Sequence, residues 1–168
     1  METVVFEVKE DFTDELSDKF VDFSNSLTIP SLVVLEIESQ GGQAQSLERI
    51  VNEIYALKEK GFVFATSVEN YAYSCAFALF LTGDIRLASD EAKFIDHPPF
   101  LEIDDIINAE DAKEIFEVLS YFQNVRDRII SENTNISPEA FNLLRKNETF
   151  MDRNDLIFLG LMENEYEL

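Results

Sequence analysis

The 168-residue chain contains one cysteine, Cys75, and one histidine, His97. A lone cysteine excludes an intrachain disulfide and any cysteine-built zinc cluster. A lone histidine means that any chemistry needing an imidazole base has a single candidate for it. Cations are also scarce: 13 Lys and Arg stand against 34 Asp and Glu, a net charge of −21. Such a field repels phosphate backbones and anionic lipid headgroups, so neither nucleic-acid nor membrane binding is expected. The simplest account of so many carboxylates is a solvated surface, and charge alone names no partner. No stretch reaches the length of a membrane span, and the opening Met1 to Val8 has neither the basic residues nor the long apolar run of a secretory signal. A cytoplasmic protein is the expectation. Internal repeats, low-complexity tracts and linkers are absent too, which leaves a single domain over residues 1–168.

What is present reads as alternating strands and helices. Hydrophobic residues make up 46% of the chain and charged ones 28%, a globular balance. Thr3 to Val8 is short and β-branched, and Ser31 to Ile37 is a nearly unbroken apolar run expected to be buried on both faces. Between them Leu16, Phe20, Phe23 and Leu27 recur at helical spacing. Leu47, Ile50, Val51, Ile54 and Leu57 line a second helix closed by Gly61, and Phe62 to Thr66 predicts the next strand. The alternation implies crossover units and a mainly parallel sheet. Ser74 to Leu81 has no polar face after Ser74, so as a helix it is buried all round, and Gly83 closes it. Ile85 to Ala88 and Lys93 to Ile95 predict short strands, and a long amphipathic helix follows through Ile115, Val118, Leu119, Phe122, Val125, Ile129 and Ile130. Ser137-Pro138-Glu139 starts another helix, with Ser137 as its cap. Asp152 and Asp155 frame a last short one ended by Gly160.

Three places could hold chemistry. Gly41-Gly42 joins a buried strand to a helix, where backbone N–H groups can face outward, although a lone Gly-Gly is more often a tight turn. Ser74 sits at the mouth of the apolar helix, a position at which most serines are simply N-caps. A serine hydroxyl attacks only when an imidazole takes its proton, and His97 is the one imidazole available. Spacing alone does not bring these residues together.

The motifs themselves resemble those of a known family. Glu38-Ser39-Gln40-Gly41-Gly42 is similar to the Asn-Ser-Pro-Gly-Gly turn of the Clp protease proteolytic subunits, with Gln40 in place of proline. Asn70-Tyr71-Ala72-Tyr73-Ser74-Cys75-Ala76 runs without gaps against Gly-x-Ala-x-Ser-Met-Gly, which puts Ser74 on the nucleophile. His97-Pro98-Pro99 resembles His-Gln-Pro, with His97 on the catalytic histidine. Asn133 to Ser137 resembles His-Thr-Gly-Gln-Ser, and Phe150-Met151 through Gly160-Leu161 resembles the family's ending, so the likeness spans roughly the whole chain.

The resemblance implies a single-domain α/β fold of the Clp-protease/crotonase type and a serine endopeptidase acting through an acyl-enzyme on Ser74, with His97 as base and acid. It implies Glu148 as the carboxylate that orients His97, where the family has aspartate, and the backbone amides of Gly42 and Cys75 as oxyanion donors. For the Cys75 side chain, a small buried residue in an apolar helix is the better account. The resemblance also implies peptides or unfolded proteins as substrate, a ring-shaped homo-oligomer, an ATP-driven AAA+ unfoldase as partner, and no cofactor or metal. Asn70 and Ala76 replace glycines, and Tyr73 is bulky beside the nucleophile, which predicts a narrower or reshaped substrate channel. A catalytically silent ring subunit is the alternative. Gly83 to Phe94 also resembles a crotonase segment, making an acyl-CoA enzyme a third reading, which the Gly-Gly turn and the Ser74, His97 pair disfavour. The family's glycine-rich handle strand, which pairs one ring with another, corresponds here to Phe100 through Asp111, a segment without glycine. Glu102, Asp104, Asp105, Glu110, Asp111 and, just beyond, Glu114 predict repulsion between facing copies.

Overall fold

A computed structural model describes residues 2–104 and 107–163. Met1, together with Asp105 and Ile106 of the acidic segment, lies outside the described residues. The first half folds as two parallel crossover units: β1 (Thr3–Val8), α1 (Asp14–Ser26), β2 (Leu32–Ser39), α2 (Ala44–Glu59) and β3 (Val63–Tyr73). β1 pairs with β2 from Thr3 opposite Leu32 to Val8 opposite Ile37, and β2 pairs with β3 from Leu32 opposite Val63 onward. The Thr13 hydroxyl accepts from the Leu16 amide and so starts α1. That start turns Leu16 and Phe20 into the core, where Phe20 meets Phe6 of β1 edge-on at 5.0 Å. Burying each such side chain contributes about 1.5–3 kcal/mol.

β2 departs from the expectation of burial on both faces. Val33, Leu35, Ile37 and Ser39 are buried while Leu32, Val34, Glu36 and Glu38 between them are half-buried. One sheet face is covered by α1 and its neighbours; the other stays partly open, as Val5 at 51% exposure shows. The apolar run reflected β-branched packing preference more than two-sided burial.

β3 is longer than Phe62 to Thr66 predicted, and its extra length builds the site. Glu69 and Asn70 are exposed and interrupt the apolar pattern, yet the strand continues through Tyr71 and Tyr73. The register slips on the way: Ile37 faces Val68, but Ser39 faces Ala72. The irregularity lets one long strand serve two short parallel neighbours on the same edge. Its first half pairs with β4 (Ile85–Ala88) and its second with β5 (Lys93–Ile95). β3 and β5 therefore end side by side, Tyr73 opposite Ile95, immediately before Ser74 and two residues before His97.

After β3 comes α3 (Cys75–Phe80), whose six residues are all buried as expected. α4 (Ala109–Asn133), α5 (Pro138–Lys146), β6 (Met151–Asp152) and α6 (Arg153–Phe158) complete the chain. Ser137 caps α5 through the Ala140 amide, and Asp152 and Asp155 form a reciprocal capping box at α6. β6 pairs antiparallel with β5, Met151 opposite Phe94, and was not foreseen. The apolar face of α4 is buried only in its second half, at Val125, Ile129 and Ile130; Phe116 and Val118 are exposed. Residues 98–104 have no helix or strand. No helix of the described residues is long and apolar enough to cross a membrane.

Candidate active site

The site is built where β3 turns sharply into α3. Ser74, between them, has φ 54 and ψ −119, one of two non-glycine residues with positive φ among those described. A backbone of this kind costs about 1–3 kcal/mol and is held by its surroundings. Here the Ser74 amide donates to the Ile95 carbonyl at 2.8 Å and its carbonyl accepts from Ala78 at 3.1 Å. A strained serine on a strand-to-helix turn presents its hydroxyl away from the helix ladder. Its side chain is not the N-cap that its position suggests; it makes no capping bond to α3.

The Gly41-Gly42 turn closes over this elbow. Gly41 has φ 103, and a Cβ there would stand 2.8 Å from Ser74 Cβ and 3.1 Å from the Cys75 amide nitrogen. Gly42 has φ 141, and a Cβ there would stand 2.6 Å from the Phe12 carbonyl. Ser39 fixes the turn by accepting from the Gly41 amide and donating to the Glu10 carbonyl. A bridge to Phe12 uses the Gly41 carbonyl and the Gln43 amide, leaving the Gly42 amide outside it. Cys75 is the first residue of α3, so its amide has no partner in the helix ladder. The Cys75 thiol reaches the Gly42 carbonyl at 3.3 Å. Burial pushes that thiol up to about 11, with the charge of Asp96 adding to the rise while Arg126 and the Gly42 hydrogen bond oppose it.

His97 follows β5 and is half-buried. Its Nδ1 lies 2.9 Å from the Pro98 carbonyl oxygen, and its ring stands 5.5 Å from that of Phe100. A carbonyl oxygen only accepts, so the neutral form of His97 in this contact carries its proton on Nδ1 and leaves Nε2 as the acceptor. Ser74, Cys75, Gly42 and His97 share a cavity of about 210 Å³ whose other walls are Gln40, Ala44, Pro99, Phe100, Phe122 and Arg126. No hydrogen bond joins Ser74 to His97 among the described residues. Glu148 is exposed, with φ 47 just past the end of α5, and is not among the residues that line this cavity. Tyr73 does not line the cavity either. Its ring stands against Tyr71 at 5.1 Å and Phe150 at 5.8 Å, so the expected narrowing does not come from it.

A buried ionic cluster with no counterpart in the sequence motifs lies beside Ser74. Asp96 is 3% exposed and receives Arg126 Nη1 at 2.6 Å on one oxygen and Arg145 Nε at 2.5 Å on the other. Arg126 is also buried, and the same Nη1 donates to Ser74 Oγ at 3.0 Å while Nη2 donates to the His97 carbonyl at 2.8 Å. Arg145 continues to Asp127 at 2.7 Å. A usable signal was present: Phe122, Val125 and Ile129 set the inward face of α4, and Arg126 falls in that stripe. A cation there requires a buried anion, because an unpaired buried charge is strongly destabilising.

The family model for Clp protease matches residues 4–166 of the chain. No curated protein matches it at a significant level.

Proposed function

Because the chain belongs to the Clp protease family, we propose that it is a serine endopeptidase subunit that cuts peptide bonds through an acyl-enzyme on Ser74. The observation that carries this reading is the left-handed backbone of Ser74, held on a strand-to-helix elbow and opening into the cavity that His97 also lines. His97 Nε2 takes the hydroxyl proton as Ser74 Oγ bonds to the substrate carbonyl carbon, and the carbonyl electron pair moves onto its oxygen. The amides of Gly42 and Cys75 receive that charge. Collapse breaks the C–N bond, and His97 gives its proton to the leaving nitrogen. Water then yields a proton to His97 and bonds to the acyl carbon; the C–Oγ bond breaks, Ser74 recovers its proton and the acid departs. The Pro98 carbonyl, at 2.9 Å, supplies the tautomer control that the resemblance assigned to Glu148. Family membership supports peptides or unfolded proteins as substrate, and a ring-shaped homo-oligomer served by an ATP-driven unfoldase is part of the same proposal.

A serine-directed phosphonate tests it. Labelling of Ser74 in the parent, with loss of both labelling and peptide cleavage in folded Ser74→Ala and His97→Ala, is the expected outcome. Undiminished cleavage by either variant sinks the mechanism. A second reading, a catalytically silent ring subunit, is favoured by one observation: Ser74 Oγ is bonded to Arg126 and not to His97. Folded parent protein that never labels is the outcome this second reading requires.

A further inference from the structure

We infer that Arg126 is a catalytic residue of this site, holding Ser74 Oγ in place and stabilising the negative charge that develops on it. The inference rests on the peptidase reading above and adds a group that neither the motifs nor the family resemblance supplies.

The geometry separates this role from simple neutralisation of Asp96. Arg145 already meets one Asp96 oxygen at 2.5 Å, so the carboxylate has a second cation whether or not Arg126 reaches Ser74. Arg126 instead spreads its fork over three acceptors: Asp96 at 2.6 Å, Ser74 Oγ at 3.0 Å and the His97 carbonyl at 2.8 Å. One planar group thereby ties the nucleophile to the backbone of the residue that bears the base. The hydroxyl accepts from Arg126 through a lone pair, and its own proton stays free for transfer to His97 Nε2. A donated N–H from a cation strengthens as its acceptor gains negative charge. It therefore acts twice: when the proton passes from Ser74 to His97 during attack, and when the C–Oγ bond breaks in deacylation, the oxygen leaving with the electron pair before His97 returns the proton. Burial of Arg126 at 2% exposure keeps water from competing for these bonds.

Arg126→Lys is the variant of choice, since it keeps a cation against Asp96 but cannot span three acceptors. Phosphonate labelling of Ser74 is measured from pH 6 to pH 9 beside thermal unfolding. The expected result is labelling at least ~10-fold slower throughout that range, the scale of losing a hydrogen bond from a charged donor, with a melting temperature near the parent's. Labelling at the parent rate overturns the inference. If Arg126→Lys does not fold, the guanidinium N–H resonances of Arg126 in the parent decide. They are expected to shift when Ser74 is phosphonylated, and unmoved resonances overturn the role. Absence of labelling in the folded parent overturns the peptidase reading and this inference with it, an outcome distinct from a parent and variant that label equally.

Discussion

Gly41 lies so close to Ser74 that a β-carbon on the glycine would approach the Cβ of the serine to 2.8 Å and the Tyr73 carbonyl to 2.9 Å. Both obstacles belong to the elbow itself, and the φ of 103 at Gly41 is one that side chains rarely adopt. Gly41→Ala is therefore expected to push the elbow off its position. Phosphonate labelling should fall by ~10-fold or more, with a stability loss of at least ~1 kcal/mol from the backbone alone. A variant that labels and melts like the parent would show that the turn can retreat from Ser74.

Glu148 gives a prediction of the opposite kind. Its side chain is exposed, and the Pro98 carbonyl already meets His97 Nδ1 at 2.9 Å. Glu148→Ala should keep the labelling rate within about threefold of the parent, a change of less than about 1 kcal/mol in barrier. A loss beyond ~10-fold would make Glu148 the orienting carboxylate after all.

Cys75 sets an alkaline limit. Its thiol titrates near 11 in the fold against an ordinary value of 9.0, mainly because burial disfavours the thiolate. Between those values the folded state keeps a proton that the unfolded state has lost. This contribution is intact below pH 9 and falls away as pH rises toward 11, by roughly 2–3 kcal/mol in all. Denaturant melts of the parent and Cys75→Ala over pH 8 to 11 check it: the parent should lose stability more steeply. Parallel curves would remove Cys75 as the cause.

The segment after His97 bears on assembly. Phe100, Leu101 and Ile103 are exposed there, and so are Glu102 and Asp104. Facing copies would bring like charges together, most strongly at low salt where screening is weak. The expected form is a single ring or smaller oligomer at low ionic strength, with stacking promoted by salt. Sedimentation over a salt series reads this directly, and a stable double ring already present at low salt would show that the apolar contacts prevail.

Much of the fold was legible because local periodicity decides it. The Leu16 and Leu47 helices, the Ser137 cap and the Asp152, Asp155 box depend on neighbours within a turn or two. β3 was underestimated since Glu69 and Asn70 break its apolar pattern at the point where the register slips. β6 has two residues and owes its strand character to β5. At the site, the motifs led to Ser74, His97, Gly42 and Cys75, which do share one cavity. Glu148 comes from motif order alone, which reveals neither its left-handed backbone nor its exposure. The Asp96 cluster joins positions 30 and 49 residues apart, a distance over which no periodicity speaks, although Arg126 in an apolar stripe was a visible anomaly.

Ribosomal synthesis runs from Gly42 through Ser74 to His97 before it reaches Arg126, and only later Arg145. A nascent chain halted between His97 and Arg126 holds Gly42, Ser74, Cys75 and His97, yet lacks both cations that meet Asp96 and the cavity wall formed by Phe122 and Arg126. Without those cations the Asp96 carboxylate is costly to bury. The tie from Arg126 to Ser74 and the His97 backbone thus arrives only with the second half of the molecule.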